Sequence, residues 1–210
     1  MLYCARVELT EADCAAVETL LDQPVDWNWL LSMARRHSVS PLLGLHLAGQ
    51  FAGQLPSAAR QSLADERRQQ GLRNLLLTGE LVQLSRLFGQ AQIDSIWFKG
   101  PTLALSAYHD LSLRMFGDLD VLLRPSDVQR AADLLYSRGY HSKEDLSPHQ
   151  QIAHLRTIGQ LPLAAEPGRR VVELHTSLTP RGFKFAPNMD LLWDRREELD
   201  VQGHPVPVLA

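Results

Sequence analysis

Residues 95–124, SIWFKGPTLALSAYHDLSLRMFGDLDVLLR, decide how the rest of the chain is read. Ile96, Trp97 and Phe98 form an apolar strand that runs into Lys99, Gly100, Pro101 and Thr102. Residues 103–108 follow as a short helix opened by the proline. Asp118 and Asp120 then stand one residue apart at the head of Val121, Leu122 and Leu123, a run bounded by Gly117 and Arg124-Pro125 that reads as a buried strand. Alternate residues on a strand share a face and lie roughly 6.5 to 7 Å apart, so both carboxylates project together while Leu119 and Val121 face the other way. Two like charges so placed repel unless a divalent ion or a basic side chain sits between them. Magnesium suits the pair, with manganese as its substitute, because it takes hard oxygen ligands from one or two carboxylates and from substrate phosphates. Upstream, a strand passing through glycine into a helix N-terminus leaves backbone N–H groups for a phosphate, and Lys99 adds a point charge.

An Asp-x-Asp triplet is common in itself, so its context carries the specificity. The order of strand, glycine turn, helix and Asp-x-Asp strand resembles the nucleotidyltransferase superfamily of the DNA polymerase beta type. It is closer still to that superfamily's uncharacterised bacterial branch, through Lys99-Gly100 and Arg114-Met115-Phe116-Gly117-Asp118-Leu119-Asp120. The likeness continues through Ala131, Leu134, Leu135, Gly139 and Tyr140 to Glu173-Leu174-His175. It implies an α+β nucleotidyltransferase-like fold, a small mixed sheet flanked by helices, and an enzyme. The reaction implied is metal-dependent transfer of a nucleoside monophosphate from a nucleoside triphosphate, such as ATP, to an acceptor hydroxyl, with release of pyrophosphate. Asp118, Asp120 and Glu173 take the catalytic and metal-binding places; Lys99, Gly100, Thr102, Arg114, Gly117 and His175 take the nucleotide-binding places. The acceptor, a small molecule or a protein side chain, is open. Pro101 motivates a different reading, a non-catalytic module that binds a nucleotide or a partner protein, including one half of a toxin–antitoxin pair.

Residues 1–90 read as a helical region and residues 91–210 as the α+β core. Thr10 caps a helix carrying Cys14, Val17 and Leu21; Asp26 caps a second; Pro41 opens a third through Leu47. Pro56 starts a longer helical pattern in which Gly71 and Gly79 allow a bend, and Glu66 to Gln70 reads as a solvated face. Beyond the central stretch, a helix with Val128, Ala131, Ala132 and Leu135 on one side ends at Gly139. Residues 155–164 and 170–175 read as a hairpin joined by Glu166-Pro167-Gly168-Arg169, with Glu173 and His175 on one face of its second arm. Glu173 is then the third acid, completing a metal site or taking the acceptor's proton; an exposed edge-strand charge is the plain alternative. Without metal the acids repel, so Asp120→Asn is expected to leave the protein as stable or slightly more so, unless Arg114 holds Asp118 or Asp120 in an ion pair. The end of the chain reads as a helix near residues 191–196, then a loop and the apolar Val206 to Leu209, which suggests a short family member or a fragment.

With 45% hydrophobic residues and a net charge of −3, the chain has a sizeable core and lacks the basic excess of a nucleic-acid binder. No apolar run reaches the roughly 20 residues of a membrane span, and the first residues lack a secretory pattern, so the cytoplasm is the expected compartment. Cys4 and Cys14 read as free thiols, His149 and His154 lack the spacing and companions of a zinc set, and no Gly-x-Ser-x-Gly supports a hydrolase triad.

Overall fold

The helical start of the chain follows from its caps. The computed structural model describes residues 1–142, 148–165, 170–179 and 187–209. In it, Thr10 and Asp13 cap α1 (Glu11–Leu21) reciprocally: Asp13 N–H donates to the Thr10 hydroxyl at 3.2 Å and Thr10 N–H to the Asp13 carboxylate at 3.0 Å. Asp26 caps α2 (Trp27–Arg36) by accepting from Trp29 N–H at 2.9 Å. Then come α3 (Ser40–Leu47), with Pro41 near its start, and α4 (Ser57–Gln90), whose 34 residues run unbroken through Gly71 and Gly79. Val17, Leu31, Ala34, Leu43, Leu47, Phe51 and Leu63 form the apolar core of one compact unit, made of residues 1–75 and 107–116.

The run from Glu66 to Gln70 differs from the solvated face expected of it. Glu66 pairs with Arg35, Arg67 reaches Asp110 at 3.3 Å, and buried Gln70 donates to Asn74 at 2.8 Å. The cause is the segment 107–116, which lies against this part of α4; Asn74 donates to the carbonyls of both Leu111 and Arg114. A sequence distance of some forty residues hides that neighbour from local pattern reading. Cys4 and Cys14 are free thiols.

The second unit comprises residues 76–106 and 117–210. Its elements are β1 (Ser95–Phe98), α5 (Gly100–Tyr108), β2 (Leu119–Leu123), α6 (Val128–Ser137), β3 (Tyr140–Ser142), α7 (Pro148–Ile158), β4 (Gln160–Ala165), β5 (Arg170–His175), α8 (Met189–Asp194), β6 (Arg196–Val201) and β7 (His204–Leu209). The strands make a seven-stranded mixed sheet in the order β3-β4-β5-β2-β1-β7-β6, with β2 parallel to β5, β1 parallel to β7 and the other neighbours antiparallel. One face carries Trp97, stacked on Phe88 of α4 at 5.8 Å; the other carries Ile96 and Leu122, which pack with Trp193 of α8.

Two parts of the chain depart from the sequence reading. Residues 155–158 complete α7, and Gly159, at φ +89°, ends that helix before the strand begins at Gln160. A short apolar run serves either element, and the preceding turns of α7 decide it. The expected turn at 166–169 lies outside the described residues, as do the side chains of His149 and His154, while the β4–β5 pairing itself is present. At the end of the chain, the expected loop is the hairpin β6–β7, turned at Gln202 and Gly203, whose φ values of +55° and +77° suit a two-residue turn. In such a hairpin Pro205 and Pro207 fall at non-hydrogen-bonded pairs with β6, so their missing N–H groups weaken only the β1 side, where Trp97 and Val208 are the paired residues.

Glu80 ties α4 to two strands: the buried Tyr140 hydroxyl donates to it at 2.6 Å and Arg170 Nη1 at 2.7 Å. Burial and the neighbouring Glu80 charge hold the Tyr140 hydroxyl far above its usual pKa. Glu80→Ala strands that hydroxyl without an acceptor and should lower unfolding free energy in urea by about 1–3 kcal/mol. Adding Tyr140→Phe should restore part of the loss, and no restoration would mean that Glu80 acts through Arg170 alone.

Candidate active site

Strand β2 lies between β1 and β5, and its register puts Asp120 opposite Phe98 on one side and Glu173 on the other. Residues directly opposite on adjacent strands share a face, so Phe98, Asp120 and Glu173 stand together, with His175 two residues further along β5 on the same face. The chain then makes a tight turn at the end of β1. Lys99 and Gly100 both adopt positive φ, +58° and +38°, and a Cβ on residue 100 would sit 3.2 Å from the carbonyl oxygen of Asp118. Glycine is required there by conformation and by space. The Thr102 hydroxyl and Leu103 N–H both donate to the Lys99 carbonyl, at 2.8 and 2.9 Å, closing the first turn of α5.

This turn delivers the Lys99 ammonium to Asp120 Oδ1 at 2.8 Å. His175 approaches the same oxygen with Nε2 at 3.0 Å, and Glu173 Oε2 lies 3.4 Å from that nitrogen. A carboxylate can only accept, so Nε2 carries the proton. Asp120 is 3% exposed and His175 5%. Burial by itself pushes the Asp120 carboxyl up, but the bonds from His175 and Lys99 outweigh it and hold the group below the ordinary carboxylate range. Burial likewise opposes a charge on His175, and its bonds to Asp120 and Glu173 outweigh that and raise its pKa. Asp118, just before β2, has the opposite balance: burial first, then repulsion from Asp120 and Glu173, raise its carboxyl, with Lys99 opposing.

The structure thus brings together Lys99, Asp118, Asp120, Glu173 and His175, with Gly100 against the Asp118 carbonyl. Among the described residues, one ligand atom each from Asp120, Glu173 and His175 lies within 4.8 Å of the others. These donors fit a divalent ion, since two carboxylates and an imidazole suit manganese or zinc and the acids alone suit magnesium. Lys99 already stands where a cation is needed, and with its side chain 52% exposed it is free to swing away. Thr102 is buried, with its hydroxyl turned to its own helix. Gly117 is exposed directly ahead of Asp118. Arg114 belongs to the other compact unit, where its guanidinium lies 6.0 Å from the Phe116 ring centre. Asp120 has Lys99 and His175 as its ion-pair partners. Sequence reading missed Phe98, whose ring meets His175 edge-on at 5.1 Å and lies 5.1 Å from Lys99 Nζ; its place two residues beyond Ile96 was the available signal.

Residues 23–210 match a protein family described as uncharacterised nucleotidyltransferase. The chain belongs to this family. No curated protein matches the sequence. Among solved structures, the nucleotidyltransferase is similar to the lincosamide antibiotic adenylyltransferase LnuA, crystallised with lincomycin, with 15% identity, a TM-score of 0.45, and coverage of 63% of this chain and 79% of that one. No helix among the described residues is long and apolar enough to cross a membrane.

The geometry reverses the expectation for Asp120. Asp120→Asn removes the counter-charge of Lys99 and His175 and should cost about 1–3 kcal/mol in the metal-free protein. Asp118→Asn, which relieves repulsion, should be neutral or stabilising at neutral pH, and the gain should vanish below pH 3.8, where the unfolded carboxyl is protonated. The raised His175 pKa contributes stability that is complete below 6.5 and lost as pH rises through its folded value. The lowered Asp120 pKa contributes stability present above 3.8 and lost as pH falls through its folded value. The deficit of Asp120→Asn should therefore be largest between pH 3.8 and 6.5, as read from melting temperatures across pH. A deficit unchanged up to pH 9 would remove His175 from the interaction.

Proposed function

We propose that this nucleotidyltransferase moves a nucleoside monophosphate from a nucleoside triphosphate to an acceptor hydroxyl, releasing pyrophosphate, with Mg²⁺ or Mn²⁺ held by Asp118, Asp120 and Glu173. The observation that carries the reading is the charge imbalance at the sheet: three carboxylates meet one ammonium and one imidazole, and Asp118 is left with the repulsion. Bound there, a divalent ion supplies the missing positive charge and offsets that of the phosphates. Lys99 exchanges Asp120 for a phosphate oxygen, and the turn at Gly100 with the N-terminus of α5 directs positive dipole toward the same group. Thr102 fixes that turn through the Lys99 carbonyl. Gly117 leaves the approach to Asp118 unobstructed, since a Cβ there would meet nothing within 4 Å. Glu173 accepts the acceptor's proton as its oxygen bonds to the α-phosphorus and the bond to the leaving pyrophosphate breaks. His175, bonded to both acids, holds their orientation. The compartment proposed for the reaction is the cytoplasm, where nucleoside triphosphates are abundant.

A second reading, a non-catalytic module that retains nucleotide or partner binding, is favoured by one observation: the Lys99 ammonium already neutralises Asp120. Incubation with α-labelled ATP, GTP, CTP or UTP and cell extract, with and without magnesium, separates the two, because only the enzyme transfers label to an acceptor. Triphosphate and magnesium should also bind as a coupled unit, each strengthening the other by about 1–3 kcal/mol in calorimetry. Asp118→Asn should abolish the coupling while leaving the fold intact. Triphosphate binding that is indifferent to magnesium would support the non-catalytic reading.

A further inference from the structure

Among the described residues, the three side chains placed to share one ion are Asp120, Glu173 and His175, and Asp118 falls outside that group. Asp120 Oδ1 and His175 Nε2 are 3.0 Å apart, and Nε2 and Glu173 Oε2 are 3.4 Å apart. Donors about 2.1 Å from one ion stand about 3.0 Å apart at neighbouring corners of an octahedron and about 3.4 Å apart in a tetrahedron. The same spacings serve hydrogen bonds, so two further features decide the reading. The Lys99 ammonium, 2.8 Å from Asp120 Oδ1 on a half-exposed side chain, marks both a place for a cation and a route from solvent to that oxygen. The Glu173 side chain is also partly open to solvent.

The second feature is the rigidity of the imidazole. His175 ends β5, where the strand is paired with β2 on one side and β4 on the other, and its buried ring is held edge-on by Phe98 at 5.1 Å. A donor fixed on a paired strand is already where a ligand has to be. The donor set then selects the ion. Magnesium takes oxygen ligands and keeps several waters, whereas first-row transition ions accept imidazole nitrogen together with carboxylate oxygen.

We propose that His175 is itself a metal ligand through Nε2 and sets the choice of ion, so that the carboxylate site takes manganese in preference to magnesium. The inference rests on the metal site proposed above and adds to it a nitrogen ligand and a selectivity. In that state Nε2 presents its lone pair, Nδ1 carries the ring proton, and Lys99 swings away from Asp120.

Metal titration of the full chain without nucleotide tests it, Mn²⁺ being followed by electron paramagnetic resonance and Mg²⁺ by calorimetry. Wild type should bind Mn²⁺ more tightly than Mg²⁺. His175→Gln should weaken Mn²⁺ about tenfold or more and Mg²⁺ by less than about threefold. His37→Gln, a change at an exposed histidine of the other compact unit, should alter neither. Electron spin-echo modulation of bound Mn²⁺ should show a directly coordinated nitrogen in wild type, a signature that stands even where the His175 variant is unstable. Bound Mn²⁺ without nitrogen coupling, equal weakening of both ions in His175→Gln, or no Mn²⁺ binding at millimolar concentration would overturn the inference. With magnesium and triphosphate still coupled, the first two of those results return His175 to orienting the acids and leave the nucleotidyl-transfer reading in place. Loss of that coupling with the nitrogen signal retained would instead sink the transfer reading and support the ligand assignment.

Discussion

Asp120 is an ionised carboxylate in the interior of a sheet, and the sheet holds it because two cationic groups reach the same oxygen. Taking such a charge out of water costs several kcal/mol unless it is paired and hydrogen-bonded. The pairing explains an otherwise unfavourable backbone: Lys99 adopts a left-handed conformation, a cost of roughly 1 kcal/mol or more for a residue with a Cβ, and in doing so aims its ammonium at Asp120. Gly100 follows from the same turn, since its positive φ strains any side chain and a Cβ would crowd the Asp118 carbonyl at 3.2 Å. The Lys-Gly pair and the Asp-x-Asp pair, far apart in sequence, are thus two halves of one interaction.

That interaction is incomplete. Lys99 and His175 satisfy Asp120, and His175 also touches Glu173, but Asp118 meets mainly burial and negative neighbours. Structural ion clusters normally match their charges, whereas sites that receive a cationic or polarising ligand leave a surplus. The surplus stands at the end of β1, beside the turn into α5, where strand ends in mixed sheets present ligand-binding groups.

What could be read in the sequence was what local chemistry fixes. Thr10 and Asp26 announce helices because a cap acts on N–H groups two or three residues away, and Glu173 and His175 share a face because side chains alternate along a strand. Hidden were the features set by distant neighbours. Leu155 carries no mark that separates a helix end from a strand start. Pro205 and Pro207 argue against an interior strand until the two-residue turn at Gln202 and Gly203 shows which ladder they spare. Lys99 pairs with Asp120 because of a turn whose handedness no pattern of hydrophobicity encodes.

Lys99 has two roles that compete. In the free protein its ammonium neutralises a buried acid and so contributes to folding; with a triphosphate in place the same ammonium would serve a phosphate oxygen, and Asp120 would need another cation. The exchange is feasible because Lys99 is half exposed and long, while Asp120 and His175 are fixed in the sheet. Under the proposed function, a divalent ion bound with the triphosphate would supply the charge that the lysine takes away, so neither ligand alone would restore the balance that both would restore together. Under the proposed function, coupled binding would follow from the buried carboxylate, and the arrangement that keeps the free sheet stable would also be the one that makes nucleotide and metal depend on each other.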